Sequence, residues 1–194
     1  MGGFAGLGIG GNTFSGNLLW NTATGNPALA TTLTLNNLPV HDSISLSFLL
    51  AIIDSWDSDN GPGGVAPDYL FIKVDGVQLF QGTWANGSGS DNTTIGTDIG
   101  SGAQQRFNNG TFPDRAYDAT GDGTITDIAH SASTLAIQWF AGGAGWQGGS
   151  DENFGLDNLR ITVNTAADAL PEPITLGLFG FGLASLGLAR RRRS

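Results

Sequence analysis

The stretch SISLSFLLAII, residues 43–53, constrains the fold of this chain more than any other. Ile44, Leu46, Phe48, Leu50 and Ile52 recur at period two, and the run turns wholly apolar towards its end. That is the pattern of a β-strand, half-buried at first and covered on both faces where it finishes. Its neighbours follow the same rule. TTLTLNNL places Leu33 and Leu35 on one face, and DYLFIKVDGVQLFQGTW is two apolar runs split by Asp75-Gly76. A two-residue Asp-Gly loop between alternating strands predicts a hairpin, because a type I′ turn needs positive φ at both positions. GTITDIA, STLAIQWF and GLDNLRITV supply three more strands, and no window upstream of Pro171 has helical periodicity. Residues 85–119 are rich in Gly, Asn, Ser, Thr and Asp, and read as a surface excursion with one short strand near 106–112. At least six short strands joined by turn chemistry predict an all-β fold, an antiparallel, jelly-roll-like β-sandwich.

Charge narrows the function. Before residue 168 there are four basic side chains (Lys73, Arg106, Arg115, Arg160) against fifteen carboxylates, a net of −11. Such a body repels phosphate backbones, so no nucleic-acid partner is expected, and it offers oxygen ligands to hard cations. Cysteine is absent, which removes disulfides, thiol nucleophiles and thiolate metal sites. Thirty-one glycines and a single lysine fit a secreted or surface β-protein better than a metabolic enzyme.

The chain closes with PEPITLGLFGFGLASLGLARRRRS. Residues 174–189 carry no charge, and a helix of that length spans about 24 Å, which flanking arginines extend to the headgroups by snorkelling. Glycines at 177, 180, 182 and 187 are poor in a water-exposed helix and common in membrane helices. A single transmembrane helix is therefore expected at 174–189. Arg190, Arg191, Arg192 and Arg193 orient it, staying cytoplasmic and leaving residues 1–170 across the membrane. The expected organisation is a glycine-rich, flexible segment over 1–30, a sandwich domain over 31–165, a linker over 166–173, the membrane helix, and the arginine cluster at 190–194. The opening MGGFAGLGIGGN has neither a basic n-region nor an apolar h-region. Export thus requires a signal upstream of Met1, from a mis-assigned start, a fragment or a trimmed chain.

The three-part order of this tail (Pro171-Glu172-Pro173, a Gly/Leu-rich span, terminal arginines) resembles the PEP-CTERM protein-sorting signal of Gram-negative bacteria. The resemblance covers residues 170–194. It implies recognition of Pro171, Glu172 and Pro173 by an exosortase, a membrane-embedded transpeptidase-like enzyme, and processing near the tripeptide. The two prolines keep that tripeptide extended. It also implies transient membrane anchoring, followed by residence at the cell surface or in the extracellular matrix. Residues 38–163 are similar to an extracellular β-sandwich domain of bacterial surface proteins, through IDSWDSD, PDYLFIKVDGVQLF and DENFGLDNL. Asp57-Ser58 stands where that pattern has Asp-Gly, and Asn153-Phe154 where it has Ser-Trp. This resemblance implies no enzymatic activity.

Among the acids, Asp54 continues the parity of Ile44 to Ile52, and Asp157 shares that of Leu159, Ile161 and Val163, so both are expected to point inward. An inward carboxylate needs a hydrogen-bonding partner or a cation. Asp57, Asp59 and Asp68 lie in one nearby loop, and Asp151 and Glu152 in another. Asp54, Asp57, Asp151, Glu152 and Asp157 are accordingly the candidate ligands of a structural Ca²⁺, with backbone N–H donors in tight turns as the alternative. DATGDGTITDIA matches an EF-hand loop only at Asp118, Asp122 and Gly123, and reads better as a turn leading into a strand. Trp56 and Trp146, in Gly/Asp-rich stretches, are the candidate sugar-stacking pair, set against core packing.

No catalytic residue is expected. His41 and His130 sit beside strands in surface or turn roles, and G-x-S-x-G, H-E-x-x-H and P-loop signatures are absent. The leading expectation is a non-enzymatic exported protein associated with the surface or with exopolysaccharide. A calcium-stabilised carbohydrate-binding module comes next, and a secreted glycoside hydrolase is a distant third.

Overall fold

The computed structural model describes residues 4–60, 66–86, 90–102 and 112–165. Among these described residues twelve strands follow in order: β1 (Gly8–Ile9), β2 (Asn12–Thr13), β3 (Leu19–Asn21), β4 (Thr31–Asn36), β5 (Ser43–Ile53), β6 (Tyr69–Val74), β7 (Val77–Gly82), β8 (Thr97–Gly102), β9 (Asp114–Asp118), β10 (Ile128–Ala129), β11 (Thr134–Gly142) and β12 (Asn153–Asn164). One sheet runs β3-β12-β5-β9-β8, with β10 added to β5; the other runs β4-β11-β6-β7; β1 and β2 form a separate hairpin. Every strand pair is antiparallel. The expected all-β antiparallel class holds, and strands β3 to β6 alternate between the two larger sheets. Ile44, Leu46, Phe48 and Leu50 of β5 pack with Ile72 of β6 and Ile137 and Trp139 of β11 in the core those sheets share. The chain divides into one compact unit over Met1–Asn164 and a second over Thr165–Ser194. The expected linker at 166–173, membrane helix at 174–189 and arginine cluster lie outside the described residues. Among the described residues no helix is long and apolar enough to cross a membrane.

The strongest local expectation is met in detail. Asp75 and Gly76 take φ values of +48° and +80°, and Val74 pairs with Val77 across them. Strand β5 likewise alternates from Ser43 to Phe48 and is then buried at every position to Ile53.

What covers the second face of β5 was not expected. Phe4 and Phe14, at 0 % and 2 % exposure, lie with Leu7 and Leu18 on Leu49, Ala51, Ile53 and Ala116. The opening segment is therefore part of the domain rather than a flexible leader. Its glycines allow the tight β1–β2 hairpin: Gly10 and Gly11 both have positive φ between Ile9 and Asn12. The excursion at 85–119 also differs from expectation, since β8 and β9 sit inside it and β9 pairs directly with β5. Alanine and glycine fill those strands where larger apolar side chains would have shown the alternation. The strand expected near 106–112 lies mostly outside the described residues. GTITDIA shortens to the two residues of β10, because Asp122 organises the preceding residues into turns through hydrogen bonds from Gly96 N and Thr124 N. Burial pushes the Asp122 carboxyl up, but the Gly96 and Thr124 amides together with the Thr124 hydroxyl outweigh it and hold the group below its ordinary pKa.

Candidate functional site

Strand β5 ends at Ile53, and the next residue, Asp54, turns the chain with φ +68°. Beside that corner stand the β5–β6 loop and the residues leading into β12. Asp54 is 2 % exposed, and its amide donates to Asp114 Oδ1 at 2.7 Å. Asp57 and Asp68 clasp each other through the backbone: Asp57 N donates to Asp68 Oδ2 at 2.8 Å, and Asp68 N to Asp57 O at 2.9 Å. Asp151 accepts from the Ser55 hydroxyl. Glu152 is buried and accepts from Gln147 N and Gly148 N at 3.0 and 3.1 Å.

Asp68 is the residue that the sequence expectation left off its ligand set. It is 1 % exposed, and its Oδ1 has no hydrogen-bond partner among the described residues. Burial pushes its carboxyl up to about 7; the Asp57 amide opposes this, and the charges of Glu152, Asp57 and Asp151 add to it. Burial also raises Glu152 against the pull of its backbone donors. Two further buried acceptors beside the end of β5, Asn86 Oδ1 and Asn153 Oδ1, also have no partner among the described residues. Asn86 donates to Ile52 O, and Asn153 pairs with Ile53. Gly145 lies against Asp68: a Cβ there would meet Asp68 Oδ1 at 2.9 Å and Ala66 O at 2.2 Å. The signal for Asp68 in the sequence was its position one residue before the β6 alternation, in register with the buried Leu70 and Ile72.

The five candidate metal ligands do not form one group. Asp54, Asp57, Asp151 and Glu152 gather around the start of β12 and the end of β5, whereas Asp157 lies four residues further along β12. A bulge between Asp157 and Arg160, with Asn158 at φ +51°, reverses the side-chain parity there. Asp157 therefore faces away from Leu159 and Ile161, and it accepts from Ser15 N at 2.7 Å and Ser15 Oγ at 2.9 Å. Its role is to fasten the opening segment to the sheet. Among the described residues no three Asp, Glu, His or Cys side chains converge to hold a metal ion.

The expected sugar platform is overturned. Trp56 and Trp146 are 0 % and 6 % exposed. Trp56 meets Trp84 and Trp146 edge-on, at centroid distances of 5.7 and 5.3 Å, and donates to Asn153 O at 2.9 Å. These indoles form the apolar floor under the acidic corner. The histidines are also not surface groups: His41 is 2 % exposed and stacks on His130, with His41 Nε2 2.6 Å from His130 Nδ1. His130 Nε2 in turn lies 3.0 Å from Asp75 Oδ2 at the β6–β7 turn.

The comparisons with known proteins bear on the tail. Residues 169–193 match the model of the PEP-CTERM protein-sorting motif. The chain carries that motif, and Pro171, Glu172, Pro173 and Arg190 to Arg193 all fall within the matched span. No curated protein matches the sequence. A solved structure of the infectious bursal disease virus Gt strain is similar at a TM-score of 0.30 and 14 % identity, covering 80 % of this chain and 33 % of that one. This chain thus spans a third of that structure, and a likeness so distant carries no argument.

Proposed function

We propose that this is a non-enzymatic exported protein, sorted through its C-terminal motif by an exosortase, anchored briefly in the membrane, and then held at the cell surface or in exopolysaccharide. The observation that carries the reading is the match of residues 169–193 to the sorting motif. The anionic, cysteine-free β-domain supports it, as a body suited to life outside the cytoplasm. The non-enzymatic part rests on the chemistry the chain offers: two glutamates, one in the tail and one tied to backbone amides, and two histidines occupied with each other. The test is expression behind an export signal in a Gram-negative host with an exosortase, with Pro171, Glu172 and Pro173 all changed to alanine. The altered chain should stay uncleaved in the membrane fraction. Processing identical to that of the unaltered chain would sink the reading.

A calcium-stabilised domain is the second reading, favoured by the unpartnered oxygens of Asp68, Asn86 and Asn153 beside Asp57 and Glu152. Calcium takes six to eight oxygens and accepts amide and backbone carbonyls, so it does not need three converging carboxylates. The expected result is a higher melting midpoint in calcium than in EDTA, lost in Asp68→Asn. Equal midpoints in the two buffers dispose of it.

A further inference from the structure

Beyond the bulge of β12, the outer face of the first sheet is not covered by the opening segment. There a cleft of about 600 Å³ opens between the β1–β2 turn and the sheet. Its floor is Ser47 of β5 and Arg160 of β12, which pair across the strands. Both alternate with core residues (Leu46 and Phe48, Leu159 and Ile161), so both side chains stand on the outer face. Gly10 and Gly11 form one wall and Thr120 another. Asn12 and Asn158 brace the mouth: Asn158 Nδ2 donates to Asn12 Oδ1 at 3.0 Å, and Asn12 Nδ2 to Thr120 Oγ1 at 3.2 Å.

The composition of this cleft departs from that of the domain around it. No carboxylate is among its lining residues, although the body carries fifteen; the adjacent Asp118 is buried and accepts from Asn12 Nδ2 and Thr120 N. The other described basic side chains are engaged: Arg115 with Asp91 and Asp98, Lys73 over the Phe140 ring. Arg160 makes no hydrogen bond or ion pair among the described residues, so its planar donor fork is unused. The Ser47 hydroxyl likewise makes no hydrogen bond among the described residues, and the Thr120 hydroxyl only accepts, which leaves its proton available. Surplus donors, no acid among the lining residues and a free guanidinium select an anion that also presents hydroxyls. No aromatic ring lines the cleft, so nothing there can stack on the face of a neutral sugar.

We propose that this cleft binds the carboxylate of an acidic sugar, with Arg160 taking the carboxylate in bidentate fashion and Ser47 and Thr120 taking neighbouring hydroxyls. This rests on the reading of the protein as exopolysaccharide-associated, and it names the chemistry of the polysaccharide. The net charge of the domain sets a limit on the ligand. At physiological ionic strength the screening length is about 8 Å, so remote carboxylates are muted while the contact pair survives. A long polyanion still meets repulsion, and the cleft suits a chain end or a short segment.

The test is calorimetry and amide chemical-shift mapping on the full chain in detergent micelles, titrated with trigalacturonate at 0.15 M salt. Its methyl ester, which keeps the hydroxyls and loses the charge, and inorganic phosphate are the controls. Trigalacturonate should bind and shift Gly10, Gly11, Ser47 and Thr120. Arg160→Gln, with an unchanged melting midpoint, should weaken it at least about tenfold, and Arg160→Lys by less, as expected for loss of a bidentate charge-assisted pair. Equal binding of the ester, binding of phosphate as tight as trigalacturonate, or wild-type affinity in Arg160→Gln each overturn the proposal. Failure of the tripeptide experiment with binding intact would remove the sorting pathway and leave the cleft standing.

Discussion

Asp68 concentrates the electrostatics of the domain at one residue. Its folded-state pKa of about 7 stands above the 3.8 of a free side chain, so between those values the folded chain holds a proton that the unfolded chain has released. Its contribution to stability is therefore complete below about pH 4 and is lost as pH rises through 7, by an amount on the order of a few kcal/mol. Chemical denaturation across that window should show stability falling with pH in EDTA, and Asp68→Asn should flatten the slope. Calcium reverses the preference, since a cation favours the ionised form, so added calcium should also flatten the slope in the wild type. A slope unaffected by Asp68→Asn would show that the burial of Asp68 is not felt as described. Arg115 is a second residue whose partners can be tested. It holds Asp91 and Asp98, and it lies 5.6 Å from the Tyr117 ring. Arg115→Met should cost about 2 kcal/mol in urea denaturation, because Asp91 is left half-buried without its counter-charge.

At the scale of elements, legibility followed side-chain size and parity. β5, β6, β7 and β11 announce themselves by alternating large apolar residues, and the Asp75-Gly76 turn by its chemistry. β8 and β9 do not, because Gly100 and Ala116 pair at positions where a large residue would have marked the register. Asp157 was misplaced for a different reason: parity counted along β12 fails at a bulge, and Asn158 gives little warning of one. Trp56 and Trp146 sit among glycines and aspartates because those residues build the corner around the indoles, so a polar neighbourhood in sequence concealed burial in space. The opening hairpin was passed over because two phenylalanines among glycines show no period. Its weight can be measured. Phe14 is 2 % exposed against Leu49, Ala51 and Ile53. Phe14→Ala should destabilise the domain by about 3–4 kcal/mol, and should expose the outer face of β5 to an environment-sensitive dye. A change under 1 kcal/mol would mean that the segment covers the sheet without stabilising it.

The whole molecule joins a domain that owns its cores to an address at its end. Among the described residues both cores draw on positions 4–163, and β12, the last strand there, lies between β3 and β5 rather than at an edge. The fold is thus closed by Asn164, immediately before the second compact unit begins. The sequence shows the same division chemically: acid and glycine with period-two apolar residues before it, an uncharged Gly/Leu run and arginines after it. Folding and sorting should then separate cleanly. A chain ending at Thr165 should melt within about 2 °C of the full-length protein, because it keeps every strand and core residue of the described domain, and a shift of that size corresponds to about 0.5–1 kcal/mol for a domain of this length. The same truncation, expressed behind an export signal, should leave the membrane fraction altogether and appear soluble. A large drop in melting temperature would place part of the domain's stability in residues 166–194, and continued membrane retention would place part of the address in the domain.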